Sequence, residues 1–286
     1  MLSNYKNLKV SFEFFPPKSE KMEQSLWHTF KRLEPLKPQF VSVTYGAMGS
    51  TRKRTHELVS KIKKESKIQP AAHLTCVNST KEELIDIADT YWNEGIKHIV
   101  ALRGDRVLEN GNSINDQLNY ATDLIKILKS RNDFEITVSA YPEGHPESDT
   151  TEKDYDVLKR KIDLGATRGI SQFFLDTDIY LKFLENIRKR NINIPIIPGI
   201  LPVTNCKKTI EFSNSMNCNI PNWLKNMFIG LDSDPETRKL VAATIAAEQC
   251  MRLLKEGIKE FHFYTLNRAD LTFAICHILG IRTLQD

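Results

Sequence analysis

Long apolar runs are missing from this 286-residue chain. A membrane span needs ~18 uninterrupted apolar residues. The longest candidate, residues 194–203, is broken by Pro195, Pro198, Gly199 and Pro202. A secretory leader is not expected either, because Ser11, Glu13 and the rigid Pro16-Pro17 arrive before an apolar signal core could form. A cytoplasmic location is therefore expected. Cysteine is sparse, and the five present (Cys76, Cys206, Cys218, Cys250, Cys276) are an odd number without any C-x-x-C spacing. Neither a disulfide framework nor a zinc knuckle is indicated, and buried reduced thiols are the expectation. A dominant charge is lacking as well, since 40 Lys+Arg against 36 Asp+Glu leave a net +4. The basic stretches 61–64 and 159–161 lie beside acidic residues in helix-like segments and read as solvated faces, so nucleic-acid binding is not expected. Finally, no G-x-G-x-x-G and no G-x-x-x-x-G-K occurs, which excludes a Rossmann dinucleotide site and a P-loop.

What the chain does have is an alternation of short β-branched or aromatic runs with longer segments of helical period, repeated from end to end. Eight strand candidates cover residues 10–15, 40–46, 72–77, 98–104, 135–141, 169–175, 194–200 and 260–266. Between them, Leu84, Ile87, Ala88 and Tyr91 share one face of a helix over 81–94, with Ser79 and Thr80 and then Glu82 and Glu83 supplying a capping-box start and Gly95 its stop. Asp234-Pro235 likewise opens a helix that can run to Gly257. The pattern predicts one α/β domain over residues 1–286, a (β/α)8 TIM barrel with an extra helical segment between strands 7 and 8. That segment has room for two helices and a loop over 213–232, placed over the barrel mouth or along its wall.

Chemistry in such a barrel sits where the strands end. Those ends offer Glu13, Thr44 with Tyr45, His73 with Thr75, Arg103 with Asp105, Tyr141 with Glu143 and His145, Gln172, and 264–268. No strand end carries a lysine for a Schiff base, and strand 1 lacks the H-x-H of barrel metallohydrolases. The mouth suits a flat polar heterocycle. Glu13 shares an inward face with Ser11 and Phe15 while Phe12 and Phe14 point outward. A carboxylate there, desolvated among phenylalanines, could hold and donate a proton, or it could be a buried structural glutamate. Arg103-Gly104-Asp105 can bring backbone close to a ligand or form a local ion-paired turn. His73 alone reads as readily as a satisfied core histidine. Arg160 and Lys161 could clamp a pyrophosphate, although surface charge is the simpler reading.

Residues 12–17 (Phe-Glu-Phe-Phe-Pro-Pro), 41–47 (Val-Ser-Val-Thr-Tyr-Gly-Ala), 73–76, 101–105, 140–143, 172–174, 198–202 and 262–269 together resemble the bacterial-type methylenetetrahydrofolate reductases, in order and across essentially the whole chain. The resemblance implies a (β/α)8 barrel that binds FAD and reduces 5,10-methylenetetrahydrofolate with NADH (or NADPH), the two substrates alternating at one flavin face. It implies Glu13 as general acid and Asp105 as the carboxylate beside flavin and pterin. The residues Thr44, Tyr45, Ala47, His73, Arg103, Gly104, Asp105, Ala121, Tyr141, His145, Asp154, Arg160 and Lys161 match flavin-contacting positions. Asp105, Gln172, Phe212 and Arg268 match substrate contacts, and no metal is implied. Val157 and Lys208 depart from residues that some relatives use for flavin and folate. A homo-oligomer, of which a tetramer is the family form, is implied, without in-chain regulation by a further domain. Two other functions fit the residues: a different flavin barrel oxidoreductase such as a proline dehydrogenase, and a metal-assisted hydrolase using His73, His145, Asp105 and Glu13.

Overall fold

A computed structural model describes residues 7–45, 50–104 and 118–282, with only the backbone of Ser50 and Thr51. Parallel strands β1 (Lys9–Phe14), β2 (Val41–Val43), β3 (Pro70–Thr75), β4 (His98–Leu102), β5 (Glu135–Ala140) and β6 (Arg168–Ser171) follow one another in space as in sequence. Helices α1 (Glu20–Leu33), α2 (Ser50–Glu65), α3 (Lys81–Asn93), α4 (Ala121–Arg131), α5 (Thr151–Asp163) and α6 (Thr177–Lys189) alternate with them. The predicted seventh strand is split into β7 (Ile196–Ile197) and β8 (Gly199–Ile200), and β9 (Glu260–Tyr264) is the last. β7 pairs with β6 and β8 with β9, which itself pairs with β1, so the ring closes through the break at Pro198. Proline has no N–H for a ladder. Its carbonyl still accepts the His262 N–H at 3.0 Å.

Most predicted strands end early, and at β6 and β9 the local reason is plain. At β6 the ladder stops at Gln172, whose side-chain Oε1 accepts the Phe173 N–H at 3.0 Å and competes with sheet pairing. At β9, Leu266 and Asn267 turn through positive φ (50° and 54°), and the Asn267 amide brackets Phe15 with bonds of 3.0 and 2.9 Å.

The helix starts follow the expected chemistry. Thr80 and Glu83 form a capping box on α3, and Asp234 accepts the Thr237 N–H at 3.0 Å to open α9 (Pro235–Lys255). The segment before α9 carries α7 (Cys206–Ser215) and also a short helix, α8 (Asn222–Met227), where the sequence suggested a loop. Leu224 of α8 is buried with Phe173, Leu175, Val203, Ile220 and Phe228, and this apolar cluster gives the short helix its footing. The final helix is α10 (Asp270–Ile278). No helix among the described residues is long and apolar enough to cross a membrane.

Alternation along the strands sorts two cores. Phe12, Phe14, Val41, Val43, Leu74 and Ala101 face the helices, while Phe40, Ala71, Val100, Ile170 and Ile197 fill the base of the barrel. Close packing at the seam depends on Gly199, where an added Cβ would lie 2.3 Å from the Ser171 carbonyl oxygen and 2.6 Å from the Tyr264 ring. Gly199→Ala should therefore destabilise the protein by about 1–3 kcal/mol through overpacking, read as a lowered melting temperature.

Candidate active site

The ends of β3, β4 and β5 open into a cavity of about 720 Å³ whose far wall is α5. Tyr45, Arg103, Gly104, Ala121, Tyr141, His145, Asp154, Arg160 and Lys161 line it together. Thr44 and His73 adjoin this wall without lining it, and Ala47 and Asp105 lie outside the described residues. Val157, apolar and partly exposed, faces the same space.

Gly104 has φ +89°, and a Cβ there would come within 2.9 Å of the Thr75 Cβ, so only glycine lets the end of β4 fold this tightly against β3. The Arg103 carbonyl fastens the turn by accepting N–H groups of Cys76 and Val77. Its guanidinium reaches the loop after β5, where it donates to both carboxylate oxygens of Glu147 at 2.6 and 2.7 Å. This two-pronged ion pair is geometrically specific. Glu147 carried no signal in the sequence reading. The same loop is tied to α5 by the His145 N–H, which donates to Asp154 at 2.8 Å. The Tyr141 ring meets the His145 ring edge-on at 4.7 Å. Burial pushes the His145 imidazole below its ordinary pKa, and the Arg103 cation adds to that.

Lys161 corrects the surface-charge reading, because its side chain is buried while Arg160 beside it is exposed. Desolvation lowers the Lys161 ammonium to a pKa of about 8 against the opposing pull of Asp154. It donates to the Ser139 carbonyl at 3.4 Å.

Glu13 faces the barrel interior as expected, but its neighbours are not phenylalanines. Phe12 and Phe14 point into the helical layer, as the period of two requires. The Glu13 Oε2 instead lies 3.6 Å from His73 Nε2 and 3.9 Å from His262 Nε2. Burial lowers the His73 pKa to about 4, so this ring is neutral near pH 7 and adds no positive charge beside the carboxyl. His262 is fully buried, and its Nδ1 is hydrogen-bonded to the Ser11 hydroxyl at 2.7 Å, which fixes the ring. Sequence reasoning missed His262 as a site residue. The alternation of Phe261 and Phe263 with His262 and Tyr264 was the available signal. Tyr264 spans the bore and donates to the Ser171 carbonyl at 2.7 Å. His73 and Thr75 are two residues apart on one face of β3, about 6–7 Å along the strand. Thr75 lines the cavity, so the Glu13 cluster lies one layer below its wall.

The remaining expected contacts are elsewhere at the mouth. Gln172 donates to the Met216 sulfur at 3.5 Å, and Phe212 of α7 stacks on Phe173 with centroids 5.6 Å apart. Arg268 is exposed beyond β9. Among the described residues, no group of three or more His, Cys, Asp or Glu side chains converges as a metal site would require.

A closed parallel barrel with a cavity at its strand ends and a carboxyl–imidazole cluster beneath has the architecture of a barrel enzyme. Comparison with known proteins specifies the class. The family model for methylenetetrahydrofolate reductase matches residues 2–280. The chain is 52% identical over 275 residues to the 5,10-methylenetetrahydrofolate reductase of Escherichia coli (96% of this chain, 92% of that one) and 51% identical to that of Pectobacterium carotovorum (96% and 91%). It is 34% identical to methylenetetrahydrofolate reductase (NADH) 1 of Arabidopsis thaliana, covering 95% of this chain and 48% of that one. The chain belongs to the methylenetetrahydrofolate reductase family, which are oxidoreductases. Among solved structures, the barrel is similar at TM-score 0.64 and 18% identity to an uncharacterized Clostridium thermocellum protein that binds two copies of 5-methyl-5,6,7,8-tetrahydrofolic acid, over 97% of this chain and 95% of that one. It is similar at TM-score 0.52 and 11% identity to a Coxiella burnetii dihydropteroate synthase, over 98% and 94%. Both likenesses concern the fold.

Proposed function

We propose that the protein converts 5,10-methylenetetrahydrofolate to 5-methyltetrahydrofolate with FAD held in the cavity and NADH as electron donor, the two substrates taking turns at one face. The observation that carries this reading is the cavity itself. Its volume of about 720 Å³ falls within the range of cofactor sites. It also contains a buried ammonium, Lys161, whose desolvation an anionic ligand would offset. The residues fit FAD: Lys161 and exposed Arg160 would hold the diphosphate, and Tyr45, Gly104, Tyr141 and His145 would enclose the rest. When bound, the flavin supplies a two-electron carrier that takes a hydride from a reduced nicotinamide and returns it to the folate.

The chain's own work is to place the substrates and move one proton. Glu13 donates that proton to the imidazolidine nitrogen of the folate that leaves as the methylene bridge opens to an electrophilic iminium. Neutral His73 and the Ser11-anchored His262 flank the carboxyl in the bore, their Nε2 atoms 3.6 and 3.9 Å from it. Asp105, outside the described residues, is assigned to stabilising the iminium on the family resemblance. Gln172, Phe212 and Arg268 are assigned to the substrates on the same ground, as are a homo-oligomer and NADH over NADPH.

The deciding experiment is the visible spectrum of the purified protein under anaerobic conditions. A flavin band that bleaches on adding NADH and returns on adding methylenetetrahydrofolate is expected. A protein that takes up no flavin, or one reduced by proline instead, overturns the proposal. Gln172→Leu should raise the KM of both substrates about tenfold, the worth of one hydrogen bond at each. An effect on one alone would refute a shared face.

A further inference from the structure

The end of α7 is fastened to the loop between β5 and α5 by three polar contacts. The Asn219 N–H donates to the Glu143 Oε2 at 2.8 Å, and the Asn217 amide donates to the Glu143 and Gly144 carbonyls at 2.9 and 3.4 Å. Asn217 adopts φ +52°, which turns the chain back toward that loop. The junction is otherwise a polar cleft of about 420 Å³ bordered by Glu143, Ser213, Asn214, Asn217, Asn219 and Lys225. The apolar residues of this segment, Ile210, Met216, Cys218 and Ile220, pack with Phe173, Leu175 and Val203. Apolar packing seats α7 over the mouth, and these hydrogen bonds set its register against the loop after β5.

On one side of this junction, Tyr141 and His145 line the cavity proposed for the flavin. On the other, α7 carries Phe212 against Phe173, and Met216 just beyond its end receives the Gln172 amide. We infer that Glu143 is a positioning residue that registers the substrate-side helix against the cofactor-side loop, so that Gln172 and Phe212 meet whatever rests on the cavity wall. This inference rests on the cofactor and substrate assignments above. Glu143 touches neither ligand in this scheme and acts through its carboxylate on the Asn219 N–H and through its main-chain carbonyl on the Asn217 amide. The loop after β5 keeps its own anchors without Glu143, namely the His145–Asp154 bond and the Arg103–Glu147 pair. Loss of the strap should thus move α7 and spare the cavity wall.

The test compares the flavin-loaded wild type with Glu143→Ala, Glu143→Gln and Asn217→Gly. Glycine at 217 removes the side-chain donor without straining the positive φ. For Glu143→Ala and Asn217→Gly, the KM for NADH and for methylenetetrahydrofolate should rise about tenfold, as expected for one lost hydrogen bond in a positioning contact. The turnover number and the flavin dissociation constant should stay within about threefold, since the chemical groups and the cavity wall are untouched. Glu143→Gln keeps an oxygen for the Asn219 N–H and should restore KM to within about twofold. Asn217→Gly cuts the strap at the main-chain carbonyls of residues 143 and 144, and if Glu143→Ala fails to fold, Glu143→Met removes the carboxylate at similar size. Unchanged KM values overturn the inference, as does a parallel loss of flavin affinity, KM and melting temperature that glutamine does not rescue. A wild-type protein that binds no flavin refutes the proposed function instead, so the two failures are distinguishable.

Discussion

Glu13→Gln should leave reduction of the enzyme by NADH nearly intact while slowing folate reduction by about 10²- to 10⁴-fold, the usual worth of a general acid. The asymmetry follows from the chemistry. Hydride delivery from a nicotinamide needs no proton from the protein, whereas opening the imidazolidine ring does. Glutamine preserves the size of the side chain among His73, His262 and Tyr264, so a structural effect should be small. Stopped-flow measurement of each half-reaction separates the two steps. Equal losses in both would remove Glu13 from the role of acid. The surroundings suit the assignment: the nearest imidazole, His73, has its pKa lowered to about 4 by burial and is neutral at physiological pH. Its contact with Glu13 is accordingly not an ion pair in that range.

Lys161→Met should weaken flavin binding by about 10- to 100-fold, the worth of a charge-assisted hydrogen bond, measured by fluorescence titration of the apoprotein. The same change should raise the melting temperature of the flavin-free protein at pH 7. The pKa of this lysine is lowered from 10.5 to about 8 in the fold. The unfolded chain therefore binds the proton more tightly between those values, and flavin-free stability rises with pH from about 8 to 10.5. Below that window the cost of holding a buried ammonium is fully present, and methionine removes it. Flavin affinity should show the opposite slope, falling as the pH passes about 8 and the ammonium is lost. In Lys161→Met this slope should vanish. Gain of stability together with loss of affinity is the signature of a charge kept for a ligand; loss of both would mark Lys161 as structural.

The barrel was legible because its physics is local. Period-two alternation along β1 placed Glu13 inward and its flanking phenylalanines outward, and the capping residues Thr80 and Asp234 marked where helices start. What escaped depended on distant partners. Lys161 sits between other charges in sequence, and only the fold reveals that its side chain turns into the cavity. Glu147 carries no local signal, because its role is fixed by Arg103, 44 residues away. His262 needs Ser11, from the opposite end of the chain, to become an oriented group. The short helix α8, at six residues, was too brief to show a helical period, and Leu224 is its buried anchor. Asp105 and Ala47, read from motifs, lie outside the described residues.

The polar lining of the bore has a wider consequence. Barrels of this kind are commonly plugged by layers of branched hydrocarbon, yet above Phe40 and Ile170 this one holds Ser11, Glu13, Ser42, His73 and His262. Cohesion must then come chiefly from the outer sleeve, where Phe12, Phe14, Phe261 and Phe263 meet the helices. Labour is divided between two concentric shells, one for endurance and one for reactivity, and lineages that reshape the inner shell can explore new chemistry without first rebuilding the scaffold.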